Sequence, residues 1–304
     1  MVVGVTPDRR GRPALHLAAL LARSADDDLV LCTVVPTPWP PSPAKVDAEY
    51  RVELERVATE ALVAARARIP ADIPATTLVR SAHSVPAGLL EVAEEHDAGF
   101  LVVGSSTAGA FGRVALGSVS SHLVHSSPIP VAVPPRGYHC APDARVVRVT
   151  AAYGGSEGSD DLVVAAAEVT ARVGASLRLA SFAVRSRPPY TSGVGSEADH
   201  SMIGQWVQEV ETAGRAALDR VEDLAAAPGK LETVIGYGES WQEALEDVEW
   251  QDGDVLAVGS SAVGPVARVF LGSRASKIVR NSPVPVAVVP RVTAAERAGR
   301  AKRA

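Results

Sequence analysis

FLVVGSSTAGAFGRVALGSVS, residues 100–120, closes an apolar run on Gly104 and meets a Gly-Ser pair, Gly117-Ser118, thirteen positions later. Residues 255–275 read VLAVGSSAVGPVARVFLGSRA, with Gly, Ser, Ser, Gly, Arg, Leu, Gly and Ser in matching places. An apolar run ended by glycine is the pattern of a buried strand leaving its sheet, and Gly-Ser before a helical period is a helix start. The same strand–loop–helix unit therefore occurs twice.

Working outward, SSPIPVAVPPR (126–136) returns as NSPVPVAVVPR (281–291), an offset of 155 that the glycine loops share. LVLCTVV from Leu29 matches LRLASFA from Leu177 at an offset of 148, so the length difference falls in the variable middle of each copy. Two copies of one domain are expected, at 1–136 and 146–291. A linker at 137–145 joins them and a polar, basic tail at 292–304 follows.

Within copy one, strand-like runs VVGV, LVLCTVV, ATTLVR, FLVVG and IPVAV alternate with helix-like segments at 14–23, 48–68, 87–95 and 118–125. Several strands are almost wholly apolar, as strands covered on both faces are. Leu54, Val57, Ala61 and Ala65 recur at helical spacing, and in copy two Trp206, Val210, Ala213, Ala217, Val221 and Leu224 do so. The expected fold class is α/β: two tandem, doubly wound, five-stranded parallel sheets of Rossmann-like form. Ligands of such sheets bind beyond the carboxyl ends of the strands.

The 304 residues suit two domains, and 47% hydrophobic residues with only 21% charged exclude a disordered chain. A net charge of −5 argues against a general nucleic-acid partner. Cys32 lies in an apolar run and Cys140 in the linker, without metal-ligand spacing, which suits a reducing, cytoplasmic setting. Neither a signal peptide nor a membrane-length apolar run is expected from the pattern.

Glycine at a strand end allows positive φ or close approach of a ligand, and a helix start presents unpaired N–H groups that suit phosphate. Ser118 can cap its helix and donate to a phosphate oxygen. The loop between would close over the ligand.

Over nearly its whole length, each copy resembles the universal stress protein family. The carrying residues are VVGSSTAGAFGRVALGSVS with SSPIPVAV, and AVGSSAVGPVARVFLGS with NSPVPVAV. The family's nucleotide loop is Gly, two residues, Gly, nine residues, Gly and Ser or Thr. Gly104, Gly117 and Ser118 fit it, as do Gly259, Gly272 and Ser273, while Thr107 and Ala262 stand at the second glycine. The family's Asp after the first strand is Thr6 in copy one and Gly154 in copy two.

The resemblance implies a cytoplasmic stress-response protein that binds adenine nucleotide, ATP with Mg²⁺, without catalysis. The expected binding set is Thr6, Val34, Val35, Gly104, Ser105, Thr107, Gly117, Ser118, Val119 and Ser120 in copy one, with Gly259, Gly272 and Ser273 in copy two. Copy one is the expected better site, since Arg274 and Phe182 of copy two stand where copy one has Val119 and Val34. The last strands, 129–133 and 284–288, are expected to pair antiparallel, making a pseudo-dimer within the chain. A homo-oligomer through such edges and an unidentified protein partner are further expectations; nucleic acid and membrane are not. The competing readings are a nucleotide-free interaction module and an ATP-dependent enzyme.

YGGSEGSDDL (153–162) is reminiscent of the ATP pyrophosphatase loop but departs at Tyr153, Glu157 and Gly158, and reads better as a turn entering a helix. His122 and His125 have metal-compatible spacing without a third ligand and are expected to face solvent. DVEWQDGD (247–254) reads as a solvated helix end, and Trp39 sits in a proline-rich excursion. No nucleophile, base and acid converge, and neither catalytic nor metal residues are assigned.

Overall fold

In the computed structural model of the chain, residues 1–7, 11–37, 45–155, 157–184, 196–222, 229–262 and 269–290 are described. The proline-rich excursion around Trp39, the tail from 292, and Leu224 lie outside them.

Copy one runs β1 (Val2–Gly4), α1 (Arg12–Ala25), β2 (Leu29–Pro36), α2 (Lys45–Arg66), β3 (Ala75–Ala82), α3 (Val85–Glu95), β4 (Leu101–Val102), α4 (Ser118–Val124) and β5 (Val131–Val133). Copy two runs β6 (Arg148–Ala152), α5 (Glu157–Val173), β7 (Ser176–Val184), α6 (Ser196–Glu222), β8 (Leu231–Gly238), α7 (Trp241–Glu246) and β9 (Asp254–Gly259). A short hairpin, β10 (Ser261–Ala262) and β11 (Val269–Phe270), precedes α8 (Ser273–Asn281) and β12 (Val286–Val289).

One ten-stranded sheet holds both copies, in the order β3-β2-β1-β4-β5-β12-β9-β6-β7-β8. Each half is parallel and doubly wound, with its first strand between its second and fourth. The halves meet at an antiparallel seam, Val286 opposite Val133, Ala287 opposite Ala132 and Val288 opposite Val131. Pro130 and Pro285 stand just outside the paired residues, where their missing N–H groups cost no ladder bond. Their carbonyls accept from Leu101 (3.0 Å) and Leu256 (2.9 Å) in the neighbouring strands. The intrachain pseudo-dimer is thus present. It occupies both last-strand edges, so a homo-oligomer built on those edges has no strand left to pair, contrary to expectation.

Strand residues alternate between two apolar layers that run through both copies. Leu17, Leu31, Leu177 and Leu179 bury on the face covered by α1, α2, α5 and α6. Leu89, Leu101, Leu245 and Leu256 bury on the face of α3, α4, α7 and α8. The repeated Ser-Pro segment has a local cause. The buried Ser127 and Ser282 hydroxyls donate to the carbonyls of Ile129 (2.7 Å) and Val284 (2.8 Å) and accept their amides, setting the entry into β5 and β12.

The linker segment returns along α1. Ser24 Oγ accepts the Val146 amide at 2.7 Å, Cys140 Sγ lies 3.4 Å from the His16 carbonyl, and Arg145 reaches the Arg23 carbonyl.

Two features of the sequence reading are corrected. Asp254 is not part of a solvated helix end: it is 1% exposed and accepts from Arg148 Nε (3.0 Å) and Nη2 (2.6 Å). Charges so enclosed persist only when paired, and Glu232 bonds the same Arg148 at 3.1 Å. His125 does not face solvent freely: its Nδ1 accepts the Leu271 amide of copy two at 3.2 Å.

Candidate functional site: two crevices at the carboxyl end of the sheet

Each half carries one cavity where its strand order reverses, at the carboxyl ends of the strands. The copy-one cavity has a volume of about 420 Å³ and draws Thr6 from the end of β1, Val34 from β2, Gly104, Ser105 and Thr107 after β4, and Gly117 to Ser120 at the start of α4. Nine of the ten residues expected in copy one therefore surround one space. Val35 does not join them. It follows Val34 in β2, so strand alternation turns it to the other face, where it is buried.

The wall around Val34 depends on helix α3 lying close. A methyl at Gly88 would come within 2.8 Å of the Val34 side chain, so only glycine allows that approach. Ser84 caps α3 by accepting the Ala87 amide at 3.3 Å.

The strand-end and helix-start glycines do not use positive φ. Gly117 has φ −86° and Gly272 φ −57°, and Gly104 and Gly259 are not among the positive-φ glycines. At Gly117 a Cβ would lie 3.3 Å from the Ser106 Cβ, across the cavity wall.

Several hydroxyls have partners within the protein. Ser120, 2% exposed, accepts the Gly117 amide at 2.8 Å and so closes the first turn of α4. Ser105 Oγ donates to the Pro134 carbonyl at 2.5 Å and accepts the Ala115 amide at 3.2 Å. These two residues shape the site more than they offer donors to it. The amides of Ser118, Val119 and Ser120 are the first-turn groups that the helix itself leaves without carbonyl partners, since Ser121 is the first to bond back to Gly117.

The loop over copy one is anchored. Arg136, just past β5, donates Nη1 to the Gly109 carbonyl (2.6 Å), exchanges backbone bonds with Gly112 and Arg113, and Arg113 pairs with Glu246 of copy two. The expected closing lid is in this structure a strap tied to the seam and to α7.

The copy-two cavity is larger, about 660 Å³. Gly259, Gly272 and Ser273 line it together with Arg274 and Ala275 at the start of α8. Ala275 stands where copy one has Ser120, so no hydroxyl there takes the Gly272 amide. Phe182 and Arg274 also line it, beside Tyr153, Trp206 and Trp241. The expectation that they crowd this site fails, since they wall a wider space. The segment 153–162 does form a turn into α5: Ser159 Oγ accepts the Gly154 amide at 3.1 Å, and Tyr153 Oη lies 3.1 Å from Asp160 and 3.2 Å from the Ala213 carbonyl. Burial first, then the Asp160 charge, pushes the Tyr153 phenol up to about 12.

Of the aromatic walls of copy two, Phe182 was expected beside the site and Trp206 on the apolar face of its helix, whereas Tyr153, Trp241 and the buried Arg148–Asp254 pair had no expected role. The aromatics carried a signal in hindsight: Tyr153, Phe182 and Trp241 match Val5, Val34 and Val85 in the repeat. Among the described residues no cluster of three or more His, Cys, Asp or Glu could hold a metal, and no helix is long and apolar enough to cross a membrane.

The sequence model of the universal stress protein family matches the chain twice, at residues 1–135 and 147–290. Universal stress proteins of Mycobacterium tuberculosis and Mycobacterium bovis are each 40% identical over 296 residues, covering 95% of this chain and 99% of theirs. A solved universal stress protein of Archaeoglobus fulgidus superimposes with a TM-score of 0.60 over 96% of this chain and 98% of its own, at 20% identity, and shares the fold. Two family matches on the two halves of one sheet, with near full-length relatives, mean that this chain belongs to the universal stress protein family.

Proposed function

We propose that copy one binds an adenine nucleotide, ATP with Mg²⁺, and that the protein acts by holding it, as a stress-response signalling component, rather than by turning it over. The observation that carries this reading is the convergence of Thr6, Val34, Gly104 and the Gly117–Ser120 helix start on one cavity. In this reading the base lies beside Val34 at the end of β2. The phosphates meet the first-turn amides of α4 and the Ser118 hydroxyl, donors aimed at anionic oxygens. Mg²⁺ would neutralise phosphate charge in the bound nucleotide, and among the described residues the cavity lining offers it no carboxylate.

A second reading, a nucleotide-free interaction module, draws on Thr6 in place of the family's Asp and on the internal bonds of Ser105 and Ser120. Heating freshly purified protein, filtering it and chromatographing the filtrate separates the two. Released adenine nucleotide in near-stoichiometric amount supports the first. An empty filtrate, together with no heat on titrating ATP and Mg²⁺, supports the second.

A further inference from the structure

The ten-stranded sheet ends on β3 at one side and on β8 at the other. An edge strand points its main-chain groups alternately to the neighbouring strand and to the outside. In β3 the even-numbered residues face β2, because the carbonyls of Pro74 and Ala82 accept the amides of Leu29 (2.9 Å) and Thr37 (2.8 Å) on that side. Ala75, Thr77, Val79 and Ser81 therefore turn their amides and carbonyls outward. Among the described residues, none of these groups has a hydrogen-bond partner.

Bare ladder groups at an edge are ordinarily guarded by a charge, a proline, a bulge or a covering segment. Strand β8 has such a guard. The Lys230 carbonyl accepts the Leu177 amide of β7, so the odd-numbered residues of β8 face outward. The Asp247 carboxylate, at the end of α7, takes the outward Tyr237 amide at 2.9 Å and sets a negative charge on that edge. Strand β3 has no equivalent. Glu91 stands as far beyond the capping Ser84 as Asp247 does beyond Ser240, yet it takes no amide of β3. The strand runs in unbroken register with β2 from Ala75 to Ala82, without proline, glycine or bulge. Its one charged side chain, Arg80, donates to Glu95 of α3 at 2.9 Å and so lies over a face of the sheet, not across the edge.

We propose that β3 pairs antiparallel with β3 of a second copy of this chain, across a two-fold axis at Leu78. In that register Thr77 stands opposite Val79 of the second copy, and Ala75 opposite its Ser81. These are the outward residues, and each such pair exchanges two ladder bonds, so the bare groups of both strands are satisfied together. Leu78 meets Leu78 of the second copy at the axis, and Arg80 meets its Thr76, so no like charges are opposed. Growth into an open stack would instead need β3 to meet β8, where Asp247 already holds an amide that pairing would use. The seam between β5 and β12 shows that two halves with helices on both faces leave room for an antiparallel join. Tyr50, Val52 and Val63, on the helix α2 that packs over β2 and β3, are left exposed and add apolar surface for a second chain to cover. None of this depends on a nucleotide being bound.

Sedimentation velocity of the full chain at micromolar concentration should give a particle of twice the 31.5 kDa chain mass. Val79→Pro removes an amide that faces outward and no bond to β2. That variant should keep the wild-type melting temperature and dimerise at least about tenfold more weakly. Antiparallel neighbours at a non-hydrogen-bonded position stand about 4.5 Å apart at Cα, within disulfide reach. Mild oxidation should therefore link Leu78→Cys chains in pairs, while wild type and Ser81→Cys, whose counterpart is Ala75, should stay unlinked. A wild-type chain that sediments as a monomer would overturn the proposal. So would Val79→Pro dimerising as wild type does, or Ser81→Cys linking as readily as Leu78→Cys.

Discussion

Cys32 lies fully buried under the copy-one cavity, and its burial pushes the thiol up to about 11, so almost none is thiolate near neutrality. Cys140 is half-buried, and burial raises its thiol too. A thiol reagent at pH 8 should therefore modify Cys140 slowly and Cys32 only after unfolding; equal rates at both in the native protein would contradict this. Glu232 gives a pH-dependent test. Burial pulls its carboxyl upward, but bonds to Lys230 and Arg148 outweigh that and hold it below its usual value. A depressed acid stabilises the fold above its unfolded pKa of about 4.3, and that contribution is lost as pH falls through the lower folded value. Glu232→Gln should thus melt below wild type at pH 7 and nearly with it at pH 3; a gap unchanged between the two would refute the assignment. Residue types were legible in the sequence, but their partners were not. Ser105 and Ser120 stood in the binding set through the resemblance, yet their partners, the Pro134 carbonyl and the Gly117 amide, are set by packing. Val35 was misplaced because a single-residue step along β2 reverses the face, and the whole run LVLCTVV is apolar on both.

Helices and strands were far easier to read than side-chain partners. The helix expected from 87 begins at Val85, and that expected from 118 begins at Ser118, because Ser84 and the Gly-Ser pair carry explicit start signals. The helix expected from 48 begins earlier, at Lys45, where the sequence offers no comparable cap. The repeated Ser-Pro element had a recognisable spacing but not a recognisable purpose. Its purpose is the Ser staple before β5 and β12, and Ser282→Ala should cost about 1–3 kcal/mol, since it leaves buried backbone groups unpaired. Chemical denaturation measures this, and a cost near zero would mean that the Val284 amide finds another acceptor. The two helix starts at the cavities also differ as elements. Helix α4 is closed by the Ser120 hydroxyl, while α8 has Ala275 there and Arg274 before it. A repeat detected by matching glycines emphasises what the copies share, so of the aromatic exchanges that separate them only Phe182 for Val34 was read, as a crowding change.

At the scale of the whole molecule, the sheet is continuous through Ala132 and Ala287, and both apolar layers cross the seam. This pairing was expected from the family resemblance, and it fits the chemistry, since two apolar last strands would otherwise be bare edges. Alternate residues of β5 face alternate neighbours: the Ala132 carbonyl accepts from Val103 of β4, so Val131 and Val133 face β12. Val133→Pro removes a ladder donor at the seam and should destabilise it. Tryptophan fluorescence in the Trp39→Phe background then reports copy two alone, and it should show copy two melting earlier although the substitution is in copy one. Copy two melting at its wild-type temperature would mean that the halves are stable independently. The seam also brings the copies' sites into contact: Arg113 of the copy-one strap pairs with Glu246 on α7, and His125 accepts the amide just before Gly272. The central claim remains that the copy-one crevice holds ATP against the start of α4. Equilibrium dialysis with labelled ATP and Mg²⁺, on wild type and on Gly117→Val with its fold checked by thermal melting, tests it most directly. The valine side chain would press on Ser106 across the cavity wall, so one bound ATP per chain should be lost; the same number of sites at the same affinity in both proteins would contradict the account.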